Sequence, residues 1–361
     1  MKKATVNILY GVLDWGLGHA TRSIPVIRYL RDCNHRVILV GNGQSLQLLK
    51  HHFPELETID FKCPEIRYGK SKSYILKLVV MAPYYMALFR RQYYRTRKIV
   101  EDKNIDLVIS DNRPGLRSHL CKSIYITHQI TPDFGRWSGM LSKIASQLHQ
   151  AIIKKYNSCL VPDNAYEPSL SGKLSHCHEL QNVQYIGILS RFATYKAEVD
   201  KKEQILLLLS GPEPQRTIFE EILLSMFSKC EDAVILVRGT YKKTERAYSP
   251  KFTVIDIAED ELLYKLIAES SLIFCRSGYS TLMDLALCRK KAIIVPTPGQ
   301  SEQEYLAKML EEKYGFTTVS QHSLPNFEWK LAERSMEWNF PTQSLFKEKI
   351  CSIIDQIIKK R

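Results

Sequence analysis

The sequence predicts an α/β protein made of two doubly wound parallel-sheet domains. Three observations carry that expectation. Short apolar runs rich in β-branched residues alternate with longer stretches of helical period. The alternation restarts in the middle of the chain, which calls for a second sheet. The length of 361 residues suits two or three domains with cores large enough to need no staples.

In chain order, the first series expects strands at residues 6–12, 36–40, 106–110, 123–127 and 159–161. Helices are expected at 21–31, 73–98 and 140–155. The second series expects strands at 204–209, 233–237, 252–257, 272–275 and 292–295. Its helices are expected at 215–229, 259–269, 279–288 and 301–312. The strands are near-continuous apolar runs, as in sheets covered on both faces. The helices space their apolar residues three and four apart. These series define a first domain over 1–189, a polar linker over 190–203 and a second domain over 204–340. An amphipathic helix at 341–361 is expected to pack back toward the first domain.

Hydrophobic residues make up 45% and charged residues 25%, which excludes wholesale disorder and collagen-like repeats. The net charge of +13 is unevenly placed. Residues 1–190 hold 26 Lys/Arg against 14 Asp/Glu, whereas 191–361 hold 25 against 24. Such an excess bears on partners, not on fold. The nine cysteines include no CxxC pair, so no zinc ribbon or thioredoxin-type motif is present, and reduced thiols in a cytoplasmic setting are expected. His176-Cys177-His178 are neighbours in a polar loop and rarely would aim at one ion. The N-terminal apolar run ends in Asp14 and a glycine loop, as a first strand does and a signal peptide does not. The longest uncharged apolar stretch, residues 78–89, is too short to span a bilayer, which needs about 20 residues.

Several loops carry chemistry. Asp14-Trp15-Gly16-Leu17-Gly18-His19 joins a strand to a helix, where glycines allow a tight turn and the helix offers unpaired N–H groups. The loop is a strand–helix turn or a site with His19 as a general base. It lacks the third glycine of a dinucleotide fingerprint and the Lys-Ser/Thr of a P-loop. Asp111-Asn112-Arg113 closes a buried strand, where ligands bind in open α/β sheets. Asp111 fits that role and equally the capping of a turn. His128, followed by Gln129, fits a core histidine or a site residue at a strand end. In the second half, Ser210, Gly211 and Arg216 lie where a small-residue turn meets a helix start. The segment Arg276-Ser277-Gly278-Tyr279-Ser280-Thr281-Leu282-Met283-Asp284 sets hydroxyls beside free N–H groups, which suits a diphosphate. Asp284 then suits ribose hydroxyls. Gln303 and Glu304 open a later helix, where they suit sugar hydroxyls.

The RSG-x-x-T-x-x-D segment, the following VP-x-x-x-x-x-x-Q-E segment and the glycine loop ending in His19 resemble family 28 of the GT-B glycosyltransferases, in particular its MurG-like group. The resemblance spreads over most of the chain. It implies two Rossmann-like domains facing a cleft, with the acceptor mainly on the first and the nucleotide-sugar donor mainly on the second. It implies His19 as the candidate base; from the loop reading, Asp111 and His128 are expected to be catalytic beside it. It implies donor contacts from Ile257, Ser277, Gly278, Thr281, Asp284, Gln303 and Glu304, and the loop reading adds Gly18, Ser210, Gly211, Arg216, Arg276 and Ser280 as expected donor-binding residues. Asp14, Trp15, Asn112, Arg113 and Gln129 fall on the acceptor side or in the cleft. Within that set, Ile257 is similar to the backbone segment that touches uracil, and Asp284 to the acidic ribose residue. The family's Gly-Gly-Thr-Gly-Gly-His loop is thinned here, and its Glu-Gln-Asn segment stands as His128-Gln129-Ile130, as in a distinct branch.

The expected activity is inverting, metal-independent transfer of a hexose or N-acetylhexosamine from a UDP-sugar to a hydroxyl acceptor, lipid-linked or in a cell-envelope glycan. The UDP-sugar is a co-substrate and no cofactor is expected. A nucleotide-sugar hydrolase or a 2-epimerase is the alternative on this fold. Residues 66–100 hold nine Lys/Arg, no Asp/Glu and seven aromatics. They read as a basic amphipathic helix on an anionic membrane surface, at the inner face of the plasma membrane, or as a solvated helix with a buried aromatic stripe. No nucleic-acid motif accompanies the charge, so nucleic acid is not an expected partner.

Overall fold

A computed structural model of the chain describes residues 5–61, 74–132, 139–176, 180–195, 200–241, 248–334 and 337–359. They fall into two α/β units. Residues up to 189, together with 343–359, form the first, and residues 190–342 the second.

The first unit carries β1 (Asn7–Val12), β2 (Arg36–Gly41), β3 (Glu57–Asp60), β4 (Leu107–Asp111), β5 (Lys122–Ile126), β6 (Ser158–Val161) and β7 (Val183–Tyr185). They form one parallel sheet in the order β3-β2-β1-β4-β5-β6-β7. Its helices are α1 (Gly18–Asp32), α2 (Gly43–His52), α3 (Tyr74–Asp102) and α4 (Gly139–Ile153). The order reverses between β1 and β4, where Val12 lies in register with Asp111. The loops that leave β1 and β4 therefore diverge and leave a crevice at the carboxyl edge of the sheet. Leu9, Ile38, Val40, Val108 and Leu116 pack with Val100 of α3 in one core cluster. A second cluster joins Tyr125, Ile130, Ile153, Tyr156, Cys159 and Val161.

The second unit carries β8 (Lys202–Leu208), α5 (Gln215–Met226), β9 (Ala233–Val237), β10 (Phe252–Ile255), α6 (Asp260–Glu269), β11 (Ser270–Cys275), α7 (Tyr279–Leu287), β12 (Ile293–Ile294) and α8 (Ser301–Tyr314). Its parallel sheet runs β10-β9-β8-β11-β12, with the reversal between β8 and β11. The core gathers Ile205, Leu207, Phe219, Phe227, Leu236, Phe274 and Ile293.

The last helix, α9 (Phe346–Ile358), belongs to the first unit. It buries Phe346, Ile350, Ile353, Ile354 and Ile357, a stripe of helical period. Phe346 meets Tyr29 of α1 edge-on at 5.8 Å, and Lys122 of β5 donates to Gln356 at 2.7 Å. Each buried aliphatic side chain of this stripe contributes about 1.5–3 kcal/mol.

Four elements depart from the sequence expectation. α2 was not expected, because it opens on Gly43 and offers only a short apolar pattern. β3 and β7 are edge strands of four and three residues with no fully buried residue, so neither shows an apolar run. β10 stops at Ile255, in register with the last residue of β9, which leaves Asp256 and Ile257 in a turn.

Candidate functional site

In the first unit, the crevice between β1 and β4 is lined by charged and titratable side chains. Asp111 ends β4 and is fully buried. Its Oδ1 lies 2.7 Å from Nδ1 of His19, at the start of α1. Arg22, three residues further along the same helix face, forks onto the same carboxylate. Its Nε donates to Oδ2 at 2.7 Å and its Nη2 to Oδ1. Arg22 Nη1 lies 2.8 Å from Nδ1 of His128, which follows β5. Ser23 donates to the His19 carbonyl at 2.7 Å, holding the first turn of the helix on the dyad.

Burial alone would raise the Asp111 carboxyl, but the Arg22 guanidinium and the His19 contact outweigh it and hold it down at about 2. Burial and Arg22 together lower the His19 pKa against the opposing pull of Asp111. Burial and Arg22 thus favour the neutral imidazole of His19 beside the low-pKa carboxyl of Asp111, an arrangement that suits a general base with its orienting acid.

The other first-unit residues named from sequence are placed as follows. Asn112 adopts a left-handed backbone (φ 52°) and accepts from Tyr125 Oη at 2.9 Å. Tyr125 Oη in turn lies 3.2 Å from His149 Nε2, a histidine lowered to about 4 by burial. Arg113 is fully buried, donates to the carbonyls of Val12 and Phe61 and stacks on the Phe61 ring, so its guanidinium serves packing. Asp14 accepts from the Ser45 N–H at 3.0 Å, inside the first turn of α2. A Cβ on Gly43 would run into that carboxylate, so the turn needs glycine there. Trp15 is half-buried in the loop and Gly18 at the first position of α1, and Gln129 is half-buried with its N–H on Thr127.

The second unit presents a different kind of edge. Gly211 (φ +102°) turns the chain after β8 in a conformation that disfavours side chains. Gly278 caps α7 in an extended conformation, with the Thr281 hydroxyl 3.8 Å from where a Cβ would stand. Ser277 donates to the Gln303 carbonyl at 2.8 Å, and Gln303 Oε1 accepts the Thr297 N–H at 2.9 Å. The exposed Glu304 accepts the Gly299 N–H at 3.1 Å. Ser210 and Ser280 are half-buried at the two turns, and Ile257 is half-buried after β10.

The cations here are committed to the fold. Arg216 donates to Glu213 and Glu220, each at 2.7 Å. Arg276 is fully buried over the Phe219 ring and donates to the carbonyls of Val295, Pro296 and Gln215; burial brings it down to about 9. Asp284 accepts from Ser190 at 2.6 Å and from Arg191 at 3.3 Å, and burial raises its pKa. Among the described residues discussed at this edge, backbone N–H groups, hydroxyl groups and the α7 N-terminus suit an anion; residues 242–247, with Lys242, Lys243 and Arg246, lie outside the described residues.

The sequence reading missed Arg22 and Thr297. Arg22 carried a signal, since three residues from His19 puts it on the same helix face. Thr297 is fully buried, and its Oγ1 has no hydrogen-bond partner among the described residues. That hydroxyl lies 3.9 Å from the position a Gly211 Cβ would take. Nothing in the sequence marks it, because its isolation arises only in the packed loop. Among the described residues, no group of three or more His, Cys, Asp or Glu is arranged to hold a metal ion. No helix among them is long and apolar enough to cross a membrane.

Comparison with known proteins agrees with this architecture. Residues 205–360 match the glycosyltransferase family 28 C-terminal domain, and residues 6–126 match a glycosyl transferase family 1 model. The UDP-N-acetylglucosamine–N-acetylmuramyl-(pentapeptide) pyrophosphoryl-undecaprenol N-acetylglucosamine transferase of Histophilus somni is 24% identical over 323 residues, covering 85% of this chain and 83% of its own. A glycosyltransferase of Methanosarcina acetivorans is 21% identical over 342 residues, covering 89% and 87%. Among solved structures, the kitacinnamycin glycosyltransferase aligns with a TM-score of 0.62 at 14% identity, covering 89% and 88% of the two chains. Acinetobacter baumannii MurG aligns with a TM-score of 0.57 at 12% identity, covering 97% and 99%. These last two likenesses show the fold. With both stretches of sequence matched to glycosyltransferase families, the chain is a glycosyltransferase of the two-domain GT-B fold whose residues 205–360 match the family 28 C-terminal domain.

Proposed function

We propose that the protein transfers a hexose or N-acetylhexosamine from a UDP-sugar to a hydroxyl of a lipid-linked acceptor, with inversion at the anomeric carbon. The observation that carries the reading is the His19–Asp111 contact of 2.7 Å at the switch point of the first sheet. Asp111 orients the imidazole, and His19 Nε2 takes the proton of the acceptor hydroxyl. The acceptor oxygen then bonds to the anomeric carbon as its bond to the UDP oxygen breaks, and the electron pair leaves with UDP. A single displacement of this kind inverts configuration. The growing diphosphate charge falls to backbone N–H groups at Gly211, Gly278 and the start of α7, with the Thr281 and Thr297 hydroxyls. No step in this mechanism is routed through a metal.

The relatives named for N-acetylglucosamine transfer to a pyrophosphoryl-undecaprenol acceptor support UDP-N-acetylglucosamine as the first donor to try. A membrane-surface role for the first unit is supported by α3. There Tyr84 and Met86 are 52% and 70% exposed, beside exposed Arg90, Arg91 and Lys98. On α4, Leu148 is 62% exposed. Basic residues beside exposed apolar ones suit an anionic lipid surface, each cation contributing about 1 kcal/mol. Residues 66–73 of the basic segment lie outside the described residues.

A thermal-shift panel of UDP-, GDP- and dTDP-sugars tests the donor. A ligand at 100 times its dissociation constant adds about 2.7 kcal/mol, so a true donor raises Tm clearly. Incubation of labelled UDP-N-acetylglucosamine with membrane lipid extract then tests transfer. Label in the lipid phase supports the reading, and free sugar released without acceptor identifies a hydrolase instead.

A further inference from the structure

Arg276 ties together three turns at the carboxyl edge of the second sheet. It follows β11 and is fully buried, with its guanidinium 4.0 Å over the Phe219 ring. Nη1 donates to the carbonyls of Val295 and Pro296, at 3.1 and 3.2 Å, on the turn between β12 and α8. Nη2 donates to the Gln215 carbonyl at 3.0 Å, at the first residue of α5, and to the Gln321 side-chain oxygen. Nε has no hydrogen-bond partner among the described residues. Every acceptor in this set is neutral. A buried cation is normally paired with a carboxylate, because burying a charge alone is costly. Among the described residues, none of the hydrogen bonds of Arg276 goes to one.

The same contacts fix Thr297. The peptide that precedes it is held at both ends, the Pro296 carbonyl by Arg276 and the Thr297 N–H by Gln303 Oε1 at 2.9 Å. Gln303 is in turn tied to the turn after β11, since Ser277 donates to its carbonyl at 2.8 Å. The Thr297 hydroxyl alone is left unspent, fully buried and without a partner among the described residues. It lies 3.9 Å from where a Gly211 Cβ would stand, and apart from the chain neighbours of Gly211 it is the only described atom within 4 Å of that position. Gly211 comes four residues before Gln215, whose carbonyl Arg276 also holds. One guanidinium thus braces both sides of the space between Thr297 and Gly211.

We propose that Arg276 is a positioning residue for the donor diphosphate, fixing the Thr297 hydroxyl opposite the Gly211 turn and holding a buried positive charge that the diphosphate matches on binding. The arginine does not touch the ligand. Thr297 Oγ1 donates to a phosphate oxygen, and the cation stands behind it, where solvent screens the attraction less than at a surface. The inference deepens the reading of a UDP-sugar donor and rests on it.

Calorimetric titration of uridine, UMP and UDP into the full chain tests the proposal, at a temperature where each variant is folded. Arg276→Met keeps an unbranched side chain over Phe219 and removes the charge. Its uridine affinity is expected within about twofold of wild type, while UDP affinity falls about tenfold or more and UMP lies between. Arg276→Lys keeps the charge but loses the planar fork. It should retain more UDP affinity than Arg276→Met, and its remaining loss should not add to that of Thr297→Val. The double variant is expected to bind UDP within about twofold of Thr297→Val alone. A residue serving the fold alone would lower Tm and leave the three affinities in their wild-type ratio. Uridine and UDP affinities that fall in parallel, or losses from Arg276→Lys and Thr297→Val that multiply in full, overturn the proposal. Should Arg276→Met fail to fold, the cycle with Arg276→Lys decides alone. A wild type that binds inorganic pyrophosphate but no UDP sinks the UDP-sugar reading, and the same cycle is then read with pyrophosphate. A wild type that binds neither overturns both.

Discussion

At the switch point of the first sheet the loops converge on Asp111, Arg22, His19 and His128, all within hydrogen-bond distance of a neighbour in the set. The equivalent edge of the second sheet presents Gly211, Gly278, Thr281 and Thr297, while Arg216 and Arg276 are turned to carboxylates and carbonyls of the fold. The same strand logic thus serves two chemistries. Titratable side chains suit moving a proton, whereas backbone N–H groups and hydroxyls suit holding a phosphate without a charge partner of their own. On the proposed function, net charge does not locate the anion site. The second unit's stretch of sequence is nearly neutral, and it is the one that carries the diphosphate reading.

The largest expected effect separates the two edges. His19→Ala should slow transfer about 100- to 10,000-fold, the usual contribution of a general base, with UDP affinity within about twofold of wild type. Steady-state rates beside calorimetric UDP binding check this, and unchanged turnover would remove His19 from the chemistry.

Next comes a test of the committed cations. Arg216→Ala leaves the buried Glu220 with Tyr248 at 2.6 Å and Arg238 at 3.4 Å but takes away its charge-assisted bond from Arg216, and should cost about 1.5–3 kcal/mol of stability by denaturant unfolding. At temperatures where the variant is folded, its UDP affinity should stay near wild type. A collapse of affinity with stability intact would make Arg216 a phosphate ligand and erase the contrast between the two edges.

A smaller effect sharpens the hydroxyl side. Thr297→Val removes a buried hydroxyl with no partner among the described residues, so the unliganded protein should be as stable or slightly more stable. UDP affinity should fall about 5- to 10-fold, the worth of one hydrogen bond. Equal affinity in the two proteins would take Thr297 out of the donor site.

The smallest effect is a pH dependence of the first unit. His19 is lowered in the folded protein, so folding favours its neutral form and the unfolded chain binds the proton first. Stability should therefore fall as pH drops below about 6.5. His19→Asn should recover part of that loss, worth about 2–4 °C in Tm between pH 7 and 5. A Tm profile parallel to wild type would show that His19 does not titrate differently in the folded state.

Much of this was legible in the sequence for physical reasons. Central strands such as β1, β4 and β8 are buried on both faces and so must be written as apolar runs. Edge strands escape that demand, which is why β3 and β7 carry no such signature. Motif reading singled out His19, Asp111 and the Arg276–Asp284 segment, because loops at strand ends carry unusual residues, and the structure brings the first two within 2.7 Å of each other. It assigned chemistry less well. Arg113 and Arg276 look like ligand groups in sequence, yet both are buried and donate to main-chain carbonyls. A sequence shows that an arginine is present but not where its five donors go. Arg22 shows the converse, since its role follows from a contact 89 residues away.

The division of labour between the two edges can be tested without knowing the acceptor. Calorimetric titration of UDP into His19→Ala and Gly278→Ala in parallel does so most directly. The Gly278 backbone accommodates a Cβ, with Thr281 Oγ1 still 3.8 Å away, so this variant should fold normally and lose UDP affinity because the ligand can no longer approach the turn. His19→Ala should bind UDP as wild type does. Loss of UDP binding in His19→Ala with full binding in Gly278→Ala would contradict the account.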